Sequence, residues 1–179
     1  MKQWIKALGS ARRLRDERGA AMIELALCMS MLLLLAFGVI DFSQIIYDRQ
    51  MLSGLTRQGS SLASRTLTLP ETVSALGVQG APMNIGTKGR IIVTAVKNDT
   101  SGKPYIFDQA ESAPGISVTS QVGSLISGPA TMPAGASTVL NAGQIIYVTE
   151  VFYSYSPMTP LGGFFKTTLP STLYESAYF

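Results

Sequence analysis

The chain has 179 residues, 46% of them hydrophobic and only 14% charged, which leaves room for one modest domain beside an apolar segment. It has no histidine and one cysteine, Cys28, which excludes His-based acid/base chemistry, Ser-His and Cys-His nucleophilic pairs, His or multi-Cys metal sites and any intrachain disulfide. The net charge of +3 is gathered at one end: residues 1–19 carry six basic side chains against two acidic ones, and the remaining 160 carry eight against nine. The basic balance is therefore a topology signal, not a phosphate-binding face, and no nucleic-acid partner is expected.

Residues 1–19 form a basic leader whose topology signal is Arg12, Arg13, Arg15 and Arg18, with Lys2 and Lys6 before them. Trp4, Ile5, Leu8 and Ala11 recur there at helical spacing, and a helix lying on the membrane surface and a simple basic flank are equally adequate readings. Residues 20–40 read AAMIELALCMSMLLLLAFGVI, with Glu24 as the sole charge. A helix of that length spans roughly 30 Å, the thickness of the hydrocarbon core. We place a transmembrane helix at 20–41, with the N-terminus cytoplasmic and the rest outside, because basic residues stay on the cytoplasmic side. Membrane lipid is thus an expected partner.

The helix is expected to continue over 42–66, where Phe42, Ile45, Ile46, Leu52, Leu55 and Leu62 fall mostly three or four apart. Gly54 and Gly59 weaken its second half, and Pro70 is its latest stop, giving about 40–45 residues of helix. From 67 to 179 the composition shifts to Gly, Pro, Ser and Thr, the mark of a β-rich head outside the membrane. Strands are expected at 90–97 (RIIVTAVK), more weakly at 116–122, and at 144–155 (QIIYVTEVFYSY). In the last, Ile145, Tyr147, Val151, Tyr153 and Tyr155 share one face and Ile146, Val148 and Phe152 the other, as in a central strand. Residues 97–104 read as a turn and 123–143 as a long loop. The fold class expected is α+β, a long N-terminal helix packed against a small antiparallel sheet.

The opening of the apolar run, Arg18-Gly19-Ala20-Ala21-Met22-Ile23-Glu24, resembles that of prepilins: basic leader, glycine, glutamate five residues on, then an uninterrupted apolar helix. More narrowly, RGAAMIELAL, LLLLAFGVIDFSQIIYDRQ and LTRQGSSLASR resemble the TadE-like pseudopilins of the tight-adherence (Tad/Flp) pilus system over residues 18–65. The later VFYSYSPMTPL is similar to the terminal strand of that family. Ala20 stands where type IVa pilins usually carry phenylalanine, which fits the Tad branch better.

The resemblance implies that a prepilin peptidase cuts between Gly19 and Ala20 on the cytoplasmic side. It also implies a pilin-like fold and that Glu24 of one subunit meets the new Ala20 amine of a neighbour, setting axial register. Physically, a glycine leaves room for close approach to the backbone. A carboxylate within a span costs about 2.5–3.5 kcal/mol at the centre and less near the interface, so it needs a partner. Three rival readings of this run carry less. Glu24 alone would be free to snorkel to the interface. Leu25-Ala26-Leu27-Cys28 has leucine where a lipobox needs a small residue. The small residues around Phe37 suggest a signal-peptidase site, yet the apolar run continues through Val39 and Ile40.

Elsewhere the chain offers little chemistry. Cys28 reads as a small lipid- or helix-facing residue, Tyr147, Tyr153 and Tyr155 as sheet core and rim, and 86–89 (GTKG) opens no phosphate-binding helix. An envelope hydrolase would require a carboxylate pair such as Asp108 with Glu111 or Glu150, which fall in a turn and a strand without a supporting motif. No catalytic residue, metal or cofactor is expected. Length and resemblance together imply a minor pilin or pseudopilin that assembles or primes a Tad/Flp pilus in the bacterial inner membrane. Its partners would be other pilins or pseudopilins and the inner-membrane assembly platform. The alternative is an uncleaved, membrane-anchored adhesion or binding module.

Overall fold

In a computed structural model of the chain, described residues are 2–65, 67–124, 126–132, 143–160, 162 and 170–179, with backbone alone for 2–18. The first element, α1 (Lys2–Arg65), is one uninterrupted helix of 64 residues, longer than expected because the leader is helical too. It passes through Gly54 and Gly59 without a break.

Only the second half of α1 carries the head. Its buried face begins with Asp41 and runs through Ile45, Asp48, Leu52, Leu55, Thr56, Ser60 and Ala63, the three-and-four spacing of one helical stripe. Phe42 and Ile46, expected on that stripe, are exposed, and Leu62 is half-buried. Two carboxylates and two hydroxyls occupy places that hydrophobicity assigned to apolar side chains.

A second helix, α2 (Leu69–Gln79), lies where irregular chain was expected. Its signal is local: Thr68 and Glu71 form a reciprocal capping box, and Pro70 occupies the first turn, where its missing N–H costs nothing. Pro70 thus starts a helix rather than merely ending one. A 3₁₀ turn (Ala81–Met83) and a single helical turn, α3 (Ile85–Lys88), lead into the sheet.

Four antiparallel strands follow: β1 (Gly89–Asn98), β2 (Pro104–Glu111), β3 (Ile145–Ser154) and β4 (Thr172–Tyr178), in the order β2-β1-β3-β4. The strands expected at 90–97 and 144–155 are β1 and β3, and β3 is central as its two apolar faces require. The expected turn at 97–104 joins β1 to β2. Both edge strands escaped the sequence reading. β2 opens on a proline and has Asp108 in its middle; β4 carries Glu175 among short polar residues. Edges tolerate both features because one side of the ladder is unpaired.

Residues 116–122 are not a strand, contrary to expectation: they alternate like one but join no ladder. Gly115 (φ +148°) bends the chain so tightly that an added Cβ would sit 2.2 Å from the carbonyl oxygen of Gly89. The segment therefore crosses the sheet's rear, where Val122, Ala130 and Met132 cover Val96, Ile146 and Val148. The front face packs Ile91, Val93, Ala95, Val151, Tyr153, Tyr155 and Leu173 against α1 and α2. Burying these side chains on both faces supplies the main stabilisation, about 25 cal/mol per Å² of apolar area removed from water. Of the loop expected at 123–143, residues 123–124, 126–132 and 143 are described and lie in irregular chain apart from one bridge, between Tyr105 and Pro129.

Two close approaches fix the helix on this core. A Cβ on Gly59 would lie 2.7 Å from Leu76 Cδ1 and from Thr149 Cγ2, so only glycine lets α1 approach both α2 and β3 this closely. At the next residue, the Ser60 hydroxyl lies 2.7 Å from the carbonyl oxygen of Thr56 and 3.0 Å from that of Ala177 on β4.

Candidate functional site

Gly19, Ala20 and Glu24 all lie on α1, and four residues bring the Glu24 carboxylate one turn above Ala20 on the same face. All three are exposed. Space around Gly19 is open to a Cβ, so nothing in the fold demands a glycine there, although glycine costs a helix about 1 kcal/mol relative to alanine. Glu24 makes no ion pair among the described side chains and is surrounded by exposed Met22, Ile23, Leu25 and Leu27. Cys28 is likewise exposed. The side chains of Arg12, Arg13, Arg15 and Arg18 lie outside the described residues.

The segment from Gly19 contains one stretch long and apolar enough to cross a membrane, and none of that stretch is buried in the protein. A helix face so apolar and so bare is stable only in lipid or against other apolar helices. Residues 19–61 match the family of TadE-like proteins. The TadE-like segment holds Gly19, Ala20, Glu24, Asp41, Asp48 and Gly59, while most of the head lies outside it. No curated protein and no solved structure matches the chain.

At the C-terminal end of the apolar run, the TadE-like helix meets the head through Asp41, a residue that sequence reasoning placed within the family pattern but assigned no task. Asp41 is 2% exposed. Its Oδ1 accepts the backbone N–H groups of Met158 (3.2 Å) and Thr159 (3.1 Å), and its Oδ2 accepts the Thr159 hydroxyl at 2.5 Å. The Tyr155 hydroxyl donates to the Asp41 carbonyl oxygen at 3.2 Å. Charge-assisted bonds of this kind are about twice as strong as neutral ones. The legible signal was position: Asp41 is the first charge after the apolar run that follows Glu24.

Two turns on, Asp48 is also buried, and its Oδ2 has no hydrogen-bond partner among the described residues, nor has Gln44 Oε1 one turn below. Burial pushes the Asp48 carboxyl above the usual carboxylate range, and the Lys88 charge opposes this. Burial raises the facing Tyr153 and Tyr155 hydroxyls too, Asp48 adding to both and Asp41 to Tyr155.

The carboxylates weighed for hydrolysis are each engaged separately. Asp108 and Glu111 both lie on β2, neither in a turn. Glu111 pairs with Arg90 at 2.7 Å, and Asp108 accepts the N–H of Gln109. Glu150, fully buried on the rear face of β3, accepts from the Ser120 hydroxyl, the Gln121 N–H and the Tyr174 hydroxyl. Its place is structural: it ties the crossing segment to the sheet. Burial pushes Tyr174 up to about 12, helped by the Glu150 charge and opposed by a bond from Ser176.

Proposed function

We propose that the chain is a minor pilin or pseudopilin that takes part in assembling or priming a Tad/Flp pilus. In this reading a prepilin peptidase cuts between Gly19 and Ala20, and the mature helix then packs laterally among those of other pilins on the inner-membrane platform. The observation that carries it is the bare apolar face of residues 20–40 holding one carboxylate, Glu24, that makes no ion pair among the described side chains, within a TadE-like segment.

The chemistry follows from that arrangement. Cutting frees the Ala20 amine four residues from Glu24, and a carboxylate in lipid gains most by meeting a cation. Within one straight helix the amine and the carboxylate satisfy each other poorly, whereas a neighbour shifted along its axis brings its amine to Glu24. That meeting sets register, and the leucine and methionine faces supply packing. Nucleotide-driven work falls to other proteins.

The test is the mass of the mature N-terminus in cells with and without prepilin peptidase. A start at Ala20 that reverts to the uncut form without the peptidase supports the reading. An uncut start in both cells removes the pilin mechanism and leaves a membrane-anchored binding module. In processed protein, Glu24→Ala is expected to insert normally and lose assembly.

A further inference from the structure

The underside of the head is set at a definite height on the membrane. Taking residues 20–40 as the span, as the proposed function does, their helix covers about 30 Å, so Asp41 marks the outer boundary of the hydrocarbon. The headgroup layer beyond it is about 5–7 Å thick. Asp41 does not stand in that layer alone. Its carboxylate holds the backbone of Met158 and Thr159, so the 156–160 loop lies at the same height as Asp41, far from it in sequence. Met158 points away from the core and is 76% exposed. Phe42 is exposed on α1 at the same level, and Ile46 and Tyr47, about 7 and 9 Å higher at 1.5 Å per residue, are exposed too and lean back toward the bilayer, as helical side chains tilt toward the helix N-terminus. Arg49, also exposed, follows about 12 Å above Asp41.

We infer that this underside, Met158 together with Phe42, Ile46 and Tyr47, is seated in the interfacial layer of the outer leaflet, so that the head rests on the lipid surface instead of standing clear on a helical stalk. The occupant is lipid because the patch is continuous with a face already committed to lipid and has the order expected of an interface. Apolar side chains come first, then a tyrosine with its apolar ring and polar tip. The Asp41 contacts complete the logic. A carboxylate at the hydrocarbon boundary is tolerated there because the loop covers it with three donors, and the loop presents Met158 to the lipid in doing so.

The experiment uses the full chain with Cys28→Ser, single cysteines carrying an environment-sensitive fluorophore, and nanodiscs of phosphatidylethanolamine and phosphatidylglycerol holding one copy each. The quencher is a nitroxide on the acyl chain near the headgroup. Three positions are read: Val39→Cys within the span, Met158→Cys beneath the head, and Val78→Cys on α2. Val78 is a fair reference because its neighbour Gln79 bonds to Gln58, roughly 25 Å above Asp41 along α1. The inference predicts a several-fold greater loss of emission at 39 and 158 than at 78. Quenching at 39 with 158 behaving like 78 overturns it while sparing the span. No quenching at 39 overturns the span and the seat together. A label at 158 shielded from water yet untouched by the lipid quencher also overturns it, and points to a protein contact. Unaltered protein gives a second reading: with a diazirine-bearing phospholipid, adducts are expected on the peptide containing Met158, and adducts confined to 20–40 count against the seat.

Discussion

Thr159 and Asp41 are 118 positions apart in the chain and meet at 2.5 Å, hydroxyl to carboxylate, where the apolar part of the long helix becomes the support of the head. That contact joins two halves of the molecule that the sequence presents as separate, an apolar anchor and a β-rich domain. Asp41→Ala strands two N–H groups and a hydroxyl in a part-buried place, at a cost of about 1–3 kcal/mol. Asp41→Asn keeps an acceptor and is expected to lose less. Unfolding of the full chain in detergent, followed by near-UV circular dichroism, reads the difference; equal stability of Asp41→Ala and wild type would show that the contact contributes nothing.

Glycine has opposite meanings at two positions of the same helix. Gly59→Ala forces a Cβ to within 2.7 Å of Leu76 and Thr149 side chains and is expected to destabilise by about 1–3 kcal/mol. Gly54 has open space, so Gly54→Ala is expected to stabilise by about 0.5–1 kcal/mol through helix propensity. Denaturant midpoints of the two variants should move in opposite directions, and movement in the same direction would remove the packing argument for Gly59.

Asp48 makes stability depend on pH in a defined sense. Its folded pKa lies above the unfolded value, so the native state binds the proton more tightly. Its contribution is favourable below the unfolded carboxylate range and is lost as pH rises through the folded value. Asp48→Asn is expected to flatten this part of the curve and to leave stability at neutral pH unchanged or raised by up to about 1 kcal/mol, because relief of burying the charge offsets loss of the Lys88 attraction. Urea midpoints at several pH values between 4 and neutrality test it; an unaltered slope in Asp48→Asn would place the dependence elsewhere.

The alkaline limb has its own reporter. Tyr174, pushed up to about 12, stays neutral in the fold after exposed tyrosines ionise near 10. Its share of stability is complete below about 10 and is lost as pH rises through about 12. Ultraviolet titration should show delayed phenols, Tyr153 and Tyr155 among them, and one titrating at about 12 that disappears in Tyr174→Phe. A titration unchanged by that substitution would rule out the assignment.

The apolar helix was legible because membranes impose a one-dimensional rule: 21 residues with one charge are long and apolar enough to cross one whatever the head does. The central strands were legible for a similar reason, since β1 and β3 are apolar on both faces. Capping chemistry was present but outweighed by composition, so α2 was missed despite Thr68 and Glu71. The edge strands and the rear segment were not legible. Whether an alternating run such as 116–122 joins a ladder depends on what lies beside it, and there Gly115 and Glu150 decide.

By itself, the sequence determined that this protein has an apolar helix led by a basic flank, with Glu24 one turn past Gly19 and Ala20, continuing into a mixed head. Both properties rest on local spacing and transfer free energy, which need no knowledge of neighbours. Only the tertiary structure decided which face of that helix carries the head, that Asp41 and Asp48 lie on it, and that Gly59 is its point of closest approach. A buried carboxylate looks like a surface one in sequence, because burial is set by partners distant along the chain, and here those partners are Met158, Thr159 and the strands of the sheet.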